Sequence, residues 1–526
     1  IIGLLTEAAS VEIATPVFLP RSRLSAPRGL AGYHPSNQFP DPWAGGWWRL
    51  SDIINYQFAF GKSLVGSLAR EPQLWLRNAL EASERTIAKG VENGPRAWIV
   101  PSNNRDPDAV KRLADVLLRS GIELHVAPAE IEADGRRYPT GSIVILRNQP
   151  YSAHVKDLFD VQNYPDGEPP YDVAGWTLPM LLGVRRVEVM QQIEEANLRQ
   201  VKSVEEATKA FVGDKRLAAN QNLLSSAHSA SWTEVFKKVQ ADTPVRFAVR
   251  GDTAGLFHLN DQDPKDGIVI NKAPRIGLYS PWSGSMDEGW MRWVLDTWEI
   301  PYVTVRNEQL RAGHLADFLD VLLIPDIGAK QLDEGRAEGS IPDEFARGLA
   351  PEGAVAVEEF VRSGGTLITL GDSSNWAIDL FRFPLVDVTR EKANSDFSCP
   401  GSVLRTIPTG EEAIAAGLAD SVAVFFSKSS AWRDFTDEEY KRLKLEKGKV
   451  KTLLQYAPTR VLLSGWINKP DVIAGRSAWV EARHGKGRVH LFGFRPQYRA
   501  WSQGTFPLIF RAMLLDVPTE EKKAKN

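Results

Sequence analysis

Two periodicities of apolar residues alternate along the second half of this 526-residue chain. The segments 276–279, 321–326 and 366–370 predict buried strands, of which 321–326 ends in a loop, and 286–298 carries apolar residues at helical spacing. Strands that alternate with helices in this way build parallel sheets covered on both faces. The pattern therefore predicts a doubly wound α/β domain.

The first half of the chain predicts further elements of both kinds. Residues 95–150 are typical of a smaller α/β unit, with strands at 97–101, 122–127 and 142–146. Residues 160–184 are rich in proline and tyrosine and are expected to form a long ordered loop, and 185–240 are expected to be mostly helical. At the start, 1–5 predicts a buried strand, followed by helices near 53–68 and 72–89. Towards the end, three closely spaced strands and a final helix are expected, at 461–466, 477–482, 488–492 and 506–515.

Composition excludes several classes of protein. Lys and Arg number 63 against 66 Asp and Glu, so a nucleic-acid partner bound through its phosphates is not expected. No uncharged apolar stretch reaches about 18 residues, so no membrane span is expected. The single cysteine, Cys399, excludes an internal disulfide and a cysteine-rich zinc site.

Glu7 is the first residue with a chemical suggestion. It follows the predicted strand 1–5 by two residues. Carboxylates at the carboxyl ends of strands face the crevice in which α/β sheets bind ligands, so Glu7 could act as a general base. The alternative is a solvated loop glutamate.

Ser373 is the second residue whose position suggests a chemical role. The run 371–375 (GDSSN) follows a predicted strand and resembles the nucleophile elbow Gly-x-Ser-x-Gly, although its last position is Asn375. A serine nucleophile needs a base, which His484 or His490 could supply. The alternative is a tight turn at Gly371 that leads into a helix capped by polar side chains.

Four segments together resemble a known family. They are 3–10 (GLLTEAAS), 42–53 (PWAGGWWRLSDI), 169–179 (PPYDVAGWTLP) and the α/β pattern of 274–515. The first is similar to the segment that carries the catalytic glutamate in bacterial zinc carboxypeptidases of the carboxypeptidase A type. The next two resemble the end of that peptidase domain and the segment after it in large members. The last looks like a class I glutamine amidotransferase-like domain.

The resemblance implies a role for Glu7 alone among the family's catalytic residues. It would be the general base of a parent protein that hydrolyses C-terminal peptide bonds with zinc. The family's zinc ligands precede this glutamate, so they are expected upstream of residue 1, and this chain is expected to bind no zinc or other cofactor. The implied partner is a peptide substrate, and the implied location is secreted or periplasmic.

The amidotransferase resemblance has two departures. The family places cysteine at the elbow, where this chain has Ser373, and uses His-x-Glu near the end of the domain, a pattern that neither His484 nor His490 begins. Cys399 lies away from the elbow in sequence. Glutamine hydrolysis is therefore not expected. We expect this domain to have a structural or substrate-gating role instead.

The fold class expected overall is α/β, with a carboxypeptidase-like remnant, a small α/β domain and a doubly wound amidotransferase-like domain. Besides the carboxypeptidase hypothesis, two alternatives remain open: a non-catalytic binding or scaffolding protein, and a serine hydrolase that uses Ser373. The sequence leaves the oligomeric state open. The expected segments are 1–92 (carboxypeptidase-like remnant), 93–190 (small α/β domain), 191–273 (mixed helical connection), 274–517 (amidotransferase-like domain) and 518–526 (disordered tail).

Overall fold

The structure is a computed structural model, and the chain in it divides into two compact units, Ile1–Lys89 and Gly90–Asn526. The residues it describes are 4–10, 14–26, 29–92, 94–165, 167, 170–220, 222–259, 267–390, 392–410 and 413–515. The predicted tail 518–526 lies outside them.

The first unit consists of a short antiparallel ribbon and two long helices. Leu4 and Leu5 are exposed and belong to no strand, so the buried strand predicted over 1–5 is wrong for these two residues, and 1–3 lie outside the described part. An apolar run forms a strand only where a neighbour satisfies its backbone groups. Both predicted helices are confirmed. The elements are β1 (Val17–Leu19), β2 (Gly46–Trp48), α1 (Leu50–Arg70) and α2 (Pro72–Glu92), whose last residues enter the second unit.

The second unit begins with a small antiparallel sheet in the order β8-β3-β7-β4-β9. Helix α3 buries its apolar face on this sheet, with Val110, Leu113 and Leu117 in the shared core. The predicted strands and helix are confirmed, but the sheet also takes in β9, beyond residue 190. The elements are β3 (Ala97–Val100), α3 (Pro107–Arg119), β4 (Leu124–Val126), β5 (Ile131–Ala133), β6 (Arg136–Tyr138), β7 (Ile143–Leu146), α4 (Ser152–Phe159), α5 (Leu178–Leu181), β8 (Val187–Val189), β9 (Arg199–Val201) and α6 (Val204–Thr208).

A second antiparallel sheet follows, in the order β10-β12-β11-β13, with one helix packed on it. The mostly helical structure expected over 185–240 is wrong, because β8, β9 and β10 lie in that range. Three-residue strands are too short for their alternation to stand out in the sequence. The elements are β10 (Leu223–Ser225), α7 (Ser229–Gln240), β11 (Val245–Ala248), β12 (Leu256–His258) and β13 (Gly267–Ile270).

The remaining residues form the doubly wound α/β domain that the alternating pattern predicts. Strands β15, β14, β16, β17 and β25 run parallel in that order, and β24, β22, β19 and β20 continue the sheet antiparallel. The elements are β14 (Ile276–Tyr279), α8 (Met286–Thr297), β15 (Val303–Val305), α9 (Asn307–Ala312), β16 (Val321–Ile324), α10 (Ala329–Glu334), α11 (Ala350–Ser363), β17 (Thr366–Leu370), α12 (Asp372–Phe381), β18 (Leu385–Asp387), β19 (Ser402–Pro408), β20 (Val422–Phe426), β21 (Trp432–Asp434), α13 (Asp437–Leu443), β22 (Val450–Tyr456), β23 (Leu462–Ser464), β24 (Ser477–His484), β25 (Gly487–Phe492) and α14 (Phe506–Leu514).

Alternate residues of the central strands fill two separate cores. Leu323 and Ile368 pack in the core that contains α8 and α14, whereas Leu322 and Leu367 pack in the core that contains α11 and α12. Successive side chains of a strand point to opposite faces, so a strand covered on both faces is apolar throughout. This explains the unbroken apolar runs in the sequence.

Close packing at the start of β25 gives a test of this fold. A Cβ at Gly487 would lie 2.0 Å from the carbonyl oxygen of Val361 and 2.3 Å from that of Gly365. We expect Gly487→Ala to lower the free energy of unfolding by about 1–3 kcal/mol, as overpacking does. Urea unfolding measures this change. Gly289→Ala is the matched control: it lies in α8 with no atom near the added methyl, and should raise stability by about 0.5–1 kcal/mol. Equal changes in the free energy of unfolding for the two variants would contradict the close packing at Gly487.

Candidate functional site at the carboxyl edge of the parallel strands

The order of the parallel strands fixes where a ligand crevice can form. Numbered along the chain, β14, β15, β16, β17 and β25 are arranged in space as 2-1-3-4-5. In this arrangement the connections from the first and third strands leave on opposite faces, which opens a crevice beyond their carboxyl ends. Here that place lies between β14 and β16, and the residues after both strands face it.

Arg495 links two aspartates at this edge. Its Nη1 lies 3.2 Å from Oδ2 of Asp287 and 3.5 Å from Oδ2 of Asp326. Its Nη2 donates a hydrogen bond of 2.8 Å to the carbonyl of Ser427, and its guanidinium lies 4.6 Å from the centre of the Tyr498 ring. Asp287, Asp326 and Ser427 follow three different strands, so the guanidinium links three segments of this edge.

Asp287 lies in the first turn of α8, where the helix dipole favours a negative charge. Its Oδ1 accepts a hydrogen bond of 3.1 Å from Nε2 of Gln497. Burial raises the pKa of Asp287 to about 6, although Arg495 acts in the opposite direction. The Oε1 atom of Gln497 is buried and has no hydrogen-bond partner among the described residues. The site thus contains a carboxyl that titrates near neutrality and an unused acceptor.

Asp326 follows β16 and joins it to the turn after β17. Its Oδ1 accepts a hydrogen bond of 2.7 Å from the backbone N–H of Asp372. Gly371 has a φ of +59°, and a Cβ there would lie 2.5 Å from Oδ1 of Asp326, so glycine is needed for two reasons. Burial raises the pKa of Asp326, although the Arg495 cation and the hydrogen bond from the backbone of Asp372 act in the opposite direction. We call Asp287, Asp326, Asp372, Arg495 and Gln497 the carboxyl-edge cluster.

A tryptophan and an arginine flank the crevice on the β14 side. The guanidinium of Arg306 lies 4.2 Å from the centre of the Trp282 ring and donates to the carbonyl of Ser280 at 3.0 Å. The Trp282 indole N–H donates to Oε2 of Glu308 at 3.1 Å. Because Arg306 lies over the Trp282 ring, it holds the loop after β14 in place beside the crevice.

The structure places Ser373 in the first turn of α12, with its hydroxyl engaged by backbone. The hydroxyl donates to the carbonyl of Pro325 at 2.5 Å and accepts from the N–H of Ile327 at 3.1 Å. Ser373 is fully buried. The side chain therefore ties the turn after β17 to the turn after β16, and the alternative reading of a tight turn at Gly371 fits better than an elbow. The predicted side-chain cap is not formed by Ser373, since the residue at the N-cap is Gly371.

The other candidate groups for nucleophilic chemistry are also engaged or buried. His484 lies 2.5 Å from Oε1 of Glu358 and packs on the ring of Phe381. His490 is fully buried on β25, and this burial lowers its pKa to about 3. Burial raises the pKa of the Cys399 thiol to about 12, so its thiolate is not available near neutral pH. None of these contacts joins Ser373 to a base.

Glu7 lies in the first unit, exposed and outside regular secondary structure. Its segment is fixed on either side, because Thr6 donates to Oε1 of Gln57 at 2.8 Å and the indole of Trp48 donates to the carbonyl of Ala9 at 2.8 Å. The segment thus lies along α1 and β2. Its proposed role as general base stays a prediction.

The described part of the chain contains no group of three or more His, Cys, Asp or Glu side chains placed to hold a metal ion. Within that part, none of the helices combines the length and apolar composition needed to cross a bilayer.

Comparison with known proteins gives only distant structural likenesses. No family model matches the chain, and no curated protein matches it. A ThuA-like protein from Bacteroides uniformis is 11% identical with a TM-score of 0.27, over 46% of this chain and 91% of that protein. A β-galactosidase from Bacillus circulans is 13% identical with a TM-score of 0.27, over 47% of this chain and 31% of that enzyme.

Sequence reasoning missed the carboxyl-edge cluster. Asp326 follows the buried strand β16 by two residues, as Glu7 follows its predicted strand, and the same rule could have found it. Asp287, Arg495 and Gln497 carry no such signal. Arg495 reaches Asp287 across 208 positions of the sequence, and only the folded sheet brings them together.

The ion pairs of Arg495 give the second test. We expect Arg495→Met to lower the free energy of unfolding at pH 8 by about 1–3 kcal/mol, because the carboxylates of Asp287 and Asp326 then lose the cation that pairs with both of them. The loss should be smaller at pH 5, since protonation of Asp287 removes one charge, and its pKa of about 6 can only rise without Arg495. Urea unfolding at both values of pH measures this.

Arg390→Met is the matched control for Arg495→Met. Arg390 pairs with Asp379 on the surface, with more than half of both side chains exposed, so its loss should change stability by at most about 0.5 kcal/mol at either pH. A pH-independent loss for Arg495→Met would contradict the coupling to Asp287.

Proposed function

We propose that residues 274–515 form a ligand-binding domain whose site is the carboxyl-edge cluster, within a zinc carboxypeptidase-like protein that acts on peptides. The observation that carries the binding role is the pair of aspartates held on Arg495 in the crevice of the parallel sheet. The hydroxyl of Ser373, in the adjacent turn, is hydrogen-bonded to backbone groups. Binding, rather than nucleophilic catalysis, is the role that this arrangement supports.

The charge of the cluster favours a cationic ligand. The carboxylates of Asp287, Asp326 and Asp372 face the cations of Arg495 and Lys428, which both act on Asp326. This leaves an excess of one negative charge among these described groups. A single ammonium group would neutralise it and would be recognised by charge-assisted hydrogen bonds. The unused Oε1 of Gln497 is a further acceptor at the same place.

A peptide with a free amino terminus supplies such an ammonium group. The resemblance of 3–10 and 42–53 to zinc carboxypeptidases implies a peptide as the substrate of the parent. We therefore propose that the domain binds the amino end of peptides. The chemistry at their carboxyl end would depend on Glu7 and on zinc ligands that the described residues do not provide.

The first unit offers separate support for a larger protein. Its two helices carry large apolar side chains that are exposed, and α1 buries none of its residues. Apolar surface of this extent is typical of a face that packs against another part of a protein. The exposed residues on these helices include Ile54, Phe58, Val65, Leu74, Leu76 and Leu80.

Titration calorimetry with trialanine amide tests the binding role. We expect saturable binding at pH 7.5, weaker binding at pH 5 because Asp287 is then protonated, and about 10- to 100-fold weaker binding by Asp326→Asn. N-acetyl-trialanine amide lacks the ammonium group and should not bind. Asp379→Asn, on the exposed side of α12, is the control and should bind as the unaltered protein does. Equal binding of the two peptides would overturn the proposal.

The role of Glu7 is tested in the protein as its gene encodes it. Glu7→Gln should lower the rate of peptide hydrolysis by about 100- to 10,000-fold, as the loss of a general base does, and leave the bound zinc unchanged. Glu84→Gln, on α2 of the same unit, is the matched control and should keep full activity. Full activity of Glu7→Gln, or hydrolysis without zinc, would exclude the carboxypeptidase proposal without affecting the binding role.

A further inference from the structure

A cavity in the second unit has a wall that shares no residue with the carboxyl-edge cluster. It has a volume of about 130 Å³, and its wall includes Arg105, Met180, Leu418, Gln503, Leu508 and Arg511. Arg105 lies in the loop before α3, Met180 in α5 and Leu418 in the segment before β20. Gln503 precedes α14, and Leu508 and Arg511 lie in that helix. The remaining wall is largely apolar.

Arg511 is the unusual member of this wall. It is 1% exposed, and its guanidinium donates to the carbonyls of Ile414 and Ala416 at 2.7 and 2.9 Å and to the hydroxyl of Ser226 at 2.6 Å. Among the described residues no carboxylate lies within ion-pair distance of it, and its Nε has no hydrogen-bond partner. Burial lowers the pKa of Arg511 to about 9, and the nearby Arg105 acts in the same direction.

The one carboxylate in the cavity wall is engaged elsewhere. Asp106 accepts hydrogen bonds from the hydroxyl of Ser229 at 2.5 Å and from the N–H of Asp108 at 2.9 Å. Nε2 of Gln503 donates to the same Ser229 hydroxyl at 2.9 Å. Burial also raises the pKa of Asp106 to about 6. Asp106 therefore organises the wall and does not neutralise Arg511.

A buried cation without a counter-ion is costly, so proteins pair such groups or bind an anion at them. Arg105 also lines this cavity and donates to the carbonyl of Gly417, but the carboxylates of Asp214, Asp420 and Asp106 act on it, so Arg511 is the cation that lacks a counter-charge. Because much of the remaining wall is apolar, an anion with a small apolar body fits better than a strongly hydrated inorganic one. We propose that this cavity binds a small organic carboxylate, whose charge complements Arg511.

Titration calorimetry of the full chain with sodium propionate tests this site, with sodium chloride at equal ionic strength as background. We expect saturable binding of propionate and none of propionamide, which has nearly the same shape without the charge. Arg511→Met should weaken binding by about 10- to 100-fold, as the loss of a charge-assisted contact does. Arg119→Met, on the exposed side of α3, should bind as the unaltered protein does.

A second variant keeps the result independent of the stability of Arg511→Met. Ala419→Leu places a larger side chain in the cavity wall and leaves Arg511 unchanged, so it should also weaken propionate binding by about 10-fold or more. Binding of propionate by Ala419→Leu at full affinity, equal binding of propionamide, or binding of inorganic phosphate in place of propionate would each overturn the proposal. Asp326→Asn should not alter propionate binding, which separates this site from the carboxyl-edge cluster.

Discussion

The guanidinium of Arg495 contacts groups that follow different strands of one sheet. Asp287 lies after β14, Asp326 after β16 and Ser427 after β20, and Arg495 itself follows β25. Each of these loops carries buried polar groups that would be costly to leave unpaired. Arg495 therefore stabilises the crevice, since it is the cation that pairs with both aspartates at the place where the parallel strands end.

The same constraint explains how the neighbouring turn is built. Asp326 uses one oxygen for Arg495 and the other for the backbone of Asp372, and it leaves room only for glycine at position 371. Ser373 then fastens the two turns through the carbonyl of Pro325. The segment Gly371–Ser374 after β17 thus links the turn after β17 to the turn after β16. A sequence that resembles a nucleophile elbow can serve this structural role when its hydroxyl faces backbone rather than a base.

Two arginines serve different purposes in the second unit. Arg495, which is mostly buried, is paired with carboxylates and shapes the crevice. Arg511 is fully buried and forms no ion pair among the described residues; it donates to backbone carbonyls and a hydroxyl and lies over the rings of Trp232 and Phe247. Because charges interact more strongly away from water, the charge of a ligand should matter at both places.

The sequence by itself determined the α/β class and most of the helices and strands of residues 274–515. Apolar runs such as 321–324 are buried on both faces of the sheet, and that burial leaves a pattern readable residue by residue. Local signals also located α3, from Asp106 at its N-cap to Gly121 beyond its end. The three-residue strands β8 to β10 were not found, because so few residues carry no clear periodicity.

Only the tertiary structure decided which polar residues meet. Strand ends and a motif directed attention to Glu7, Ser373 and the histidines, whereas the fold joins Asp287 to Arg495 and brings Arg105 and Arg511 to one cavity. Ion pairs and cavities depend on strand order and on distances in space, and residues far apart in the chain leave no local pattern for them. Burial likewise decided that Ser373 binds backbone, because the neighbours of a side chain are set by packing and not by its flanking residues.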